Sequence, residues 1–302
     1  MPYFKAVQTV SSIKGMVIIM FFLLTSSVAA AVVSAGIVNY IGKNDCRTKG
    51  DSYLYNSISY IVCIPVFIVL AITGRISLFS LGIGLLYGIM TAISGGYLML
   101  AYGAGPMHIT ILIVSSSMII PAMSGVLFFG ERFSTVKLVG IVFLLFFVYL
   151  SVNKTADKAR NKKWLLYCTA AFFASGMLGV FQKVHQNSLH KDETGAFLLA
   201  AFVCSFVYSV LMSKKYGTKI KISGRICAFA AVGGICTFVN NYINLRLSGV
   251  LPSQIFFPIV NAGPMILSVI ASVVLFKERI TARQLVGIVG GIASLCCICL
   301  LG

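Results

Sequence analysis

The sequence predicts an all-α, polytopic membrane protein whose ten transmembrane helices form two five-helix repeats, and three observations carry that prediction. First, 59% of the 302 residues are hydrophobic and only 10% are charged. That is more apolar surface than one water-soluble core can hide, so most of it faces lipid. Second, apolar runs recur at the length a helix needs to cross a hydrocarbon slab, roughly 20 residues. Third, the stretch Gly130 to Leu150 returns at Lys277 to Ile298: Glu131-Arg132 matches Glu278-Arg279, Ser134 matches Thr281, and Leu138-Val139-Gly140-Ile141-Val142 matches Leu285-Val286-Gly287-Ile288-Val289, all at an offset of 147 residues. Gly103 and Pro106 pair with Gly249 and Pro252 at an offset of 146, so the register holds upstream with one residue of slippage. A shared register over that length marks a tandem duplication.

The crossings run about Met16 to Tyr40, Ser52 to Ile72, Phe79 to Tyr102, Met107 to Phe129, Ser134 to Val152, Trp164 to His185, Gly195 to Met212, Gly224 to Ser248, Pro252 to Phe276 and Thr281 to Leu301. Five fall in each half, giving a first repeat at 1–153, a basic linker at 154–163 and a second repeat at 164–302. The segments are continuously apolar and lack the alternating dyads of an outer-membrane strand, which selects helices over a closed barrel. The net charge of +17 does not indicate nucleic acid. The Lys and Arg residues concentrate in loops, where they meet phospholipid headgroups and set topology. Nine cysteines without ligand spacing give neither a disulfide framework nor a metal site. No cofactor is expected.

Taken in order, Lys5 and Lys14 precede an apolar run ending in Ser27-Val28-Ala29-Ala30-Ala31, which has the look of a signal peptide. The run continues to Tyr40, too long for a signal core, and is expected to stay as the first helix. The second crossing is short and aromatic. The third is rich in glycine, with Gly84 and Gly88 spaced for close helix packing, and carries Thr91, Ser94 and Tyr97. The fourth holds Ser115-Ser116-Ser117 and Pro121. Ser134 and Thr281 stand where the fifth and tenth helices begin and can cap them. Glu131 and Glu278, three residues earlier, sit near the positive end of the same helix dipole, with a gating role as the functional alternative. Trp164, the single tryptophan, opens the sixth crossing and is expected at headgroup level. That helix ends in Gln182-Lys183-Val184-His185, with Lys183 expected to snorkel to the interface.

The eighth crossing is the most informative. Thr237, Asn240, Asn241 and Asn244 fall on one helical face, and amides in hydrocarbon are expensive unless paired. Such a row lines a water-filled cavity or glues helices together, and three adjacent amides favour the cavity. In the ninth crossing Gln254, Pro258, Asn261 and Pro264 lie within eleven residues. Each proline removes a backbone N–H and frees a carbonyl one turn earlier, a break tolerated at membrane depth only beside protein or a cavity. The matching break in the first half is Ser115 to Pro121. Interrupted helices at corresponding positions of two repeats are how transporters build a midplane site.

The duplicated five-helix unit, the Gly-Glu or Lys-Glu pair before the last helix of each half, and the Leu-Val-Gly-Ile-Val that follows resemble the EamA-type branch of the drug/metabolite transporter superfamily. The resemblance covers Met16 to Leu301. It implies two repeats of inverted topology, a central cavity lined by the first, third, fourth, sixth, eighth and ninth helices, and alternating access. It also implies both termini in the cytoplasm, whereas the distribution of Lys and Arg between the faces points the other way.

All seven acids, Asp45, Asp51, Glu131, Asp157, Asp192, Glu193 and Glu278, lie in loops or at helix ends, and His108, His185 and His190 lie near the surface. Proton-coupled carriers place such groups in the transport path. The expected activity is therefore facilitated diffusion, exchange or weakly coupled carriage of a small neutral or zwitterionic metabolite, such as an amino acid, across the plasma membrane. The expected binding residues are Ser94, Tyr97, Ser116, Gln182, Asn240, Asn241, Asn244, Gln254 and Asn261; Pro121, Pro258, Pro264, Glu131 and Glu278 are the expected helix-break or gating positions. The expected partners are that solute and the lipid bilayer, with monomer and homodimer both open. A lipid or lipid-linked sugar flippase of the same fold shares these features. No catalytic residues are expected, because no acid, base or nucleophile cluster accompanies the isolated histidines.

Overall fold

The computed structural model describes residues 2–46, 48–130, 162–251 and 281–300, with single positions between 139 and 150 and between 253 and 274. Its helices are α1 (Pro2–Asn44), α2 (Lys49–Ile72), α3 (Leu78–Ala104), α4 (Met107–Ser115), α5 (Ile119–Phe129), α6 (Lys162–Gln186), α7 (Thr194–Tyr216), α8 (Gly224–Ser248) and α9 (Ala282–Leu300). No strand occurs among the described residues. Seven described segments are long and apolar enough to cross a membrane: Ile19–Asn44, Lys49–Ile72, Leu78–Ala104, Met107–Phe129, Lys162–Gln186, Thr194–Tyr216 and Gly224–Ser248. These match the first four crossings and the sixth to eighth; the fifth and ninth fall largely outside the described residues, as does most of the 154–163 linker.

Local chemistry sets the helix ends. Thr48 caps α2, its hydroxyl accepting from Asp51 N at 3.2 Å while Asp51 Oδ2 accepts from Thr48 N at 2.7 Å, the reciprocal pair of a capping box. The other Asp51 oxygen accepts from the backbone N–H groups of Lys219 and Ile220 at 2.6 and 2.8 Å, so one buried carboxylate ties the α7–α8 connector to the start of α2. Ser77 and Ser223 cap α3 and α8 one way only, their hydroxyls accepting from the backbone N–H of Ser80 and Ile226. Gly130, at φ 65°, ends α5 in the left-handed conformation that glycine adopts without a Cβ penalty.

The fourth crossing is broken as its proline demands. A 3₁₀ turn, Ser116–Met118, separates α4 from α5. Pro121 offers no N–H to the Ser117 carbonyl, and its ring crowds the preceding turn.

Helices approach closely where side chains are absent. A Cβ on Gly84 would lie 2.5 Å from the Phe197 carbonyl oxygen, and one on Gly88 would lie 2.3 Å from that of Ala201, so the GxxxG spacing of α3 is the seat of α7. Between them Phe67, Tyr87, Phe197, Leu198 and Phe202 make a buried core. A second core joins Met107, Leu112, Ile243, Phe256 and Met265.

Four side chains depart from expectation. Trp164 does not face headgroups; it is 1% exposed and donates to Thr110 Oγ1 at 3.0 Å, because Gly105 leaves room for the indole. Lys183 is buried rather than snorkelling, and His108 and His185, expected near the surface, are both buried.

Candidate functional site

A cavity of about 360 Å³ opens between α1, α2, α3, the α4–α5 break, α6, α8 and the described positions of the ninth crossing. Its wall is uncharged among the described residues, and its polar groups are Asn, Gln, Ser, Thr and Tyr.

Two hydrogen-bonded networks organise that wall. In the first, Tyr87 donates to Asn241 Oδ1, and Gln182 Nε2 donates to the Tyr87 hydroxyl at 3.0 Å. Asn241 Nδ2 turns back to the Thr237 carbonyl at 2.9 Å. This chain joins α6, α3 and α8. In the second, Asn240 Nδ2 donates to Ser27 Oγ at 3.1 Å, Ser27 donates to Asn244 Oδ1 at 2.8 Å, and Asn244 Nδ2 donates to Asn240 Oδ1 at 3.2 Å. The ring closes on itself and fastens α8 to α1. The asparagine row therefore lines the cavity and bonds helices together at once: residue 241 turns about 100° from residue 240, the step of an α-helix, and so meets a different neighbour.

Elsewhere Ser94 and Ser175 share a hydrogen bond of 2.6 Å across α3 and α6. Asn261 Nδ2 donates to the Phe257 carbonyl at 2.7 Å, leaving its side-chain oxygen as the group available to a solute. Pro121 and Pro264 both line the cavity, as do Ser117 and Val260, whose carbonyls lose their usual helical donors to those prolines.

Of the residues singled out in the sequence, Ser94, Gln182, Asn240, Asn241, Asn244, Asn261, Pro121 and Pro264 come together in this lining. Tyr97 and Ser116 do not. Tyr97 lies one turn beyond Ser94, with its ring centroid 5.9 Å from that of Tyr167 and 5.7 Å from Lys49 Nζ. The Ser116 hydroxyl is turned onto its own helix, donating to the Leu112 carbonyl at 2.8 Å. Gln254, Pro258, Glu131 and Glu278 lie outside the described residues. The sequence reading passed over α2, which brings Tyr55, Asn56, Ser59 and Tyr60 to the cavity. The signal was present: polar residues at i, i+1, i+4 and i+5 within an apolar run mark one helical face.

A separate polar cluster closes the face where α6 ends and α3 and α7 begin. Glu193 Oε2 accepts from Ser80 Oγ at 2.7 Å and from Ser77 Oγ, and Glu193 Oε1 stands 2.9 Å from His190 Nδ1. Ser80 Oγ is also 3.1 Å from His185 Nε2. Burial opposes ionisation of Glu193, but the bonds from Ser77, Ser80 and His190 outweigh it and hold the carboxyl down at about 2. Among the described residues no group of His, Cys, Asp and Glu is placed to hold a metal.

The architecture is shared with a crystallographically solved protein at a TM-score of 0.68 and 12% identity, over 93% of this chain and 96% of that one. An uncharacterized protein of Haemophilus influenzae is 27% identical over 189 residues, which is 60% of this chain and 62% of that relative's length. Residues 162–300 match the EamA-like transporter family. That second half is thus similar to the EamA-like transporter family, which is part of the drug/metabolite transporter superfamily.

Proposed function

We propose that the protein is a carrier of the plasma membrane that moves a small neutral or zwitterionic organic solute by alternating access, its ten crossings forming two inverted five-helix repeats. The observation that supports this most directly is the cavity itself. It is enclosed by helices that precede and follow the linker, and its wall is polar yet uncharged among the described residues. A wall of amides and hydroxyls offers hydrogen bonds to a neutral molecule and no counter-charge to an ion, which would be costly to desolvate there. Its size suits a metabolite the size of an amino acid or a small sugar. Inversion is favoured by chain direction, since α1 ends at the face where α6 begins: Gly42 packs on Met99 and Gly103 near the end of α3, and Gly105 packs on Trp164.

The test is thermal stabilisation of the purified protein by a panel of amino acids, nucleosides, sugars and organic cations. A ligand that binds the folded state raises the melting temperature by linkage. A neutral or zwitterionic metabolite is expected to stabilise the parent and to fail with Asn241→Ala and Asn261→Ala. Stabilisation by lipids alone, with both variants responding as the parent does, overturns the reading in favour of a flippase.

A further inference from the structure

The polar wall of α2 carries an inference beyond the central-cavity reading, on which it rests. Tyr55, Asn56, Ser59 and Tyr60 all line the cavity. Three of them have protein acceptors: Tyr55 donates to the Phe229 carbonyl at 3.3 Å, Ser59 to that of Tyr55 at 3.3 Å and Tyr60 to that of Thr91 at 3.1 Å. Asn56 differs. It is 6% exposed, and its Nδ2 has no hydrogen-bond partner within the protein. A buried amide without a partner is destabilising, and a native fold keeps one where something else completes it.

The neighbours of Asn56 indicate what that is. A Cβ on Gly95 would stand 2.6 Å from the Tyr60 hydroxyl and 3.2 Å from Asn56 Nδ2, so this face of α2 packs on the bare backbone at residue 95 beside the cavity. The adjacent Ser94 shares one hydrogen bond with Ser175, and two hydroxyls joined by one bond leave one proton to donate elsewhere. Donors from α2 and from the α3–α6 pair thus flank the same glycine. Acceptors lie on the interrupted segments: the Ser117 and Val260 carbonyls without their usual helical donors, and the Asn261 oxygen. Donors on one part of an uncharged wall and acceptors on another match a molecule with a carboxylate and an ammonium and no net charge.

We propose that Asn56 is a specificity-determining residue, whose side-chain N–H binds the carboxylate oxygen of a zwitterionic, amino-acid-like solute. Nothing in the family resemblance assigns the second helix to the cavity.

The experiment uses the full-length protein in detergent and measures melting temperature and Kd for L-threonine, L-methionine and L-phenylalanine. Each is paired with its amino alcohol, which keeps the side chain and ammonium but lacks the carboxylate. At least one amino acid is expected to bind the parent. Asn56→Ala is expected to melt, without ligand, at or above the parent's temperature, because it removes an unpartnered amide. It is also expected to weaken the amino acid at least tenfold while leaving the amino alcohol unchanged. Asn56→Asp, close in shape but turning a donor into an acceptor, is expected to weaken the amino acid further. Unliganded Asn56→Ala melting well below the parent, or failing to fold, assigns Asn56 to packing and overturns the proposal. So does equal amino-acid affinity in parent and Asn56→Ala; if Asn241→Ala has then lost binding, the cavity reading survives alone. A parent that binds none of the three amino acids but is stabilised by uridine or D-glucose overturns the zwitterion assignment and keeps the cavity.

Discussion

Tyr87 of α3 donates to the side-chain oxygen of Asn241 on α8, and the same phenolic oxygen accepts from Gln182 of α6 at 3.0 Å. One hydroxyl, on a side chain 1% exposed, therefore serves three helices around the cavity. Tyr87→Phe leaves the buried Gln182 donor unpaired, a loss of about 1–3 kcal/mol, and the half-buried Asn241 acceptor without its partner. Tyr60→Phe is the control, since the Tyr60 hydroxyl is an extra donor to a carbonyl already inside a helix. Thermal unfolding in detergent is expected to show a much larger fall for Tyr87→Phe. Equal shifts would contradict the three-helix junction.

The glycines of α3 make opposite predictions. A Cβ on Gly88 would sit 2.3 Å from a backbone oxygen of α7, whereas one on Gly82 meets nothing within 4 Å. Gly88→Ala must push two helix backbones apart and is expected to cost more than about 2 kcal/mol, as overpacked sites do. Gly82→Ala improves helix propensity by about 1 kcal/mol without contact and is expected to be neutral or stabilising. Melting temperatures of the two variants check both signs.

What was legible in the sequence was whatever a helical period or a backbone constraint records locally. The GxxxG of Gly84 and Gly88, the break before Pro121 and the inward amides of Asn240, Asn241 and Asn244 are of that kind. Partners were not legible, because they come from other helices. Asn240 and Asn244 bond to Ser27, 213 and 217 residues away, and nothing local distinguishes them from Asn241, which bonds Tyr87 instead. Tyr97 lies outside the cavity lining for a related reason: the right face of α3 says nothing about how far along the helix the cavity extends. Asn56 was overlooked because the aromatic residues around it give α2 the appearance of a packing helix.

Glu193 makes the protein acid-sensitive. Its carboxyl is held at about 2 by Ser77, Ser80 and His190 against burial, below the ordinary 4.5. A depressed carboxyl stabilises the fold above its unfolded value and loses that contribution as pH falls toward the folded one. The parent is expected to lose melting temperature between about pH 4.5 and 2, over and above the loss seen with Glu193→Gln, which is expected to start lower at pH 7. Parallel pH profiles for the two proteins would show that the cluster contributes nothing.

At the opposite face Lys49 Nζ stands 5.7, 5.7 and 5.4 Å from the ring centroids of Tyr97, Tyr167 and Tyr216. An ammonium over an aromatic ring is worth about 0.5–2 kcal/mol, more as water is excluded. Lys49 and Tyr97 belong to α2 and α3, before the linker, and Tyr167 and Tyr216 to α6 and α7, after it. An alternating-access carrier must part its halves at each face in turn, so a contact spanning them at one face favours the state closed there. Lys49→Gln keeps most of the side-chain length and removes the charge. It is expected to lower the melting temperature by an amount equivalent to about 1 kcal/mol and to raise the rate of solute exchange in proteoliposomes. Lys49→Arg, which stacks on the same rings, is expected to restore both. A melting temperature unmoved by Lys49→Gln removes the contact from the account. A lower melting temperature with unchanged exchange leaves it a fastening that does not limit the transport cycle.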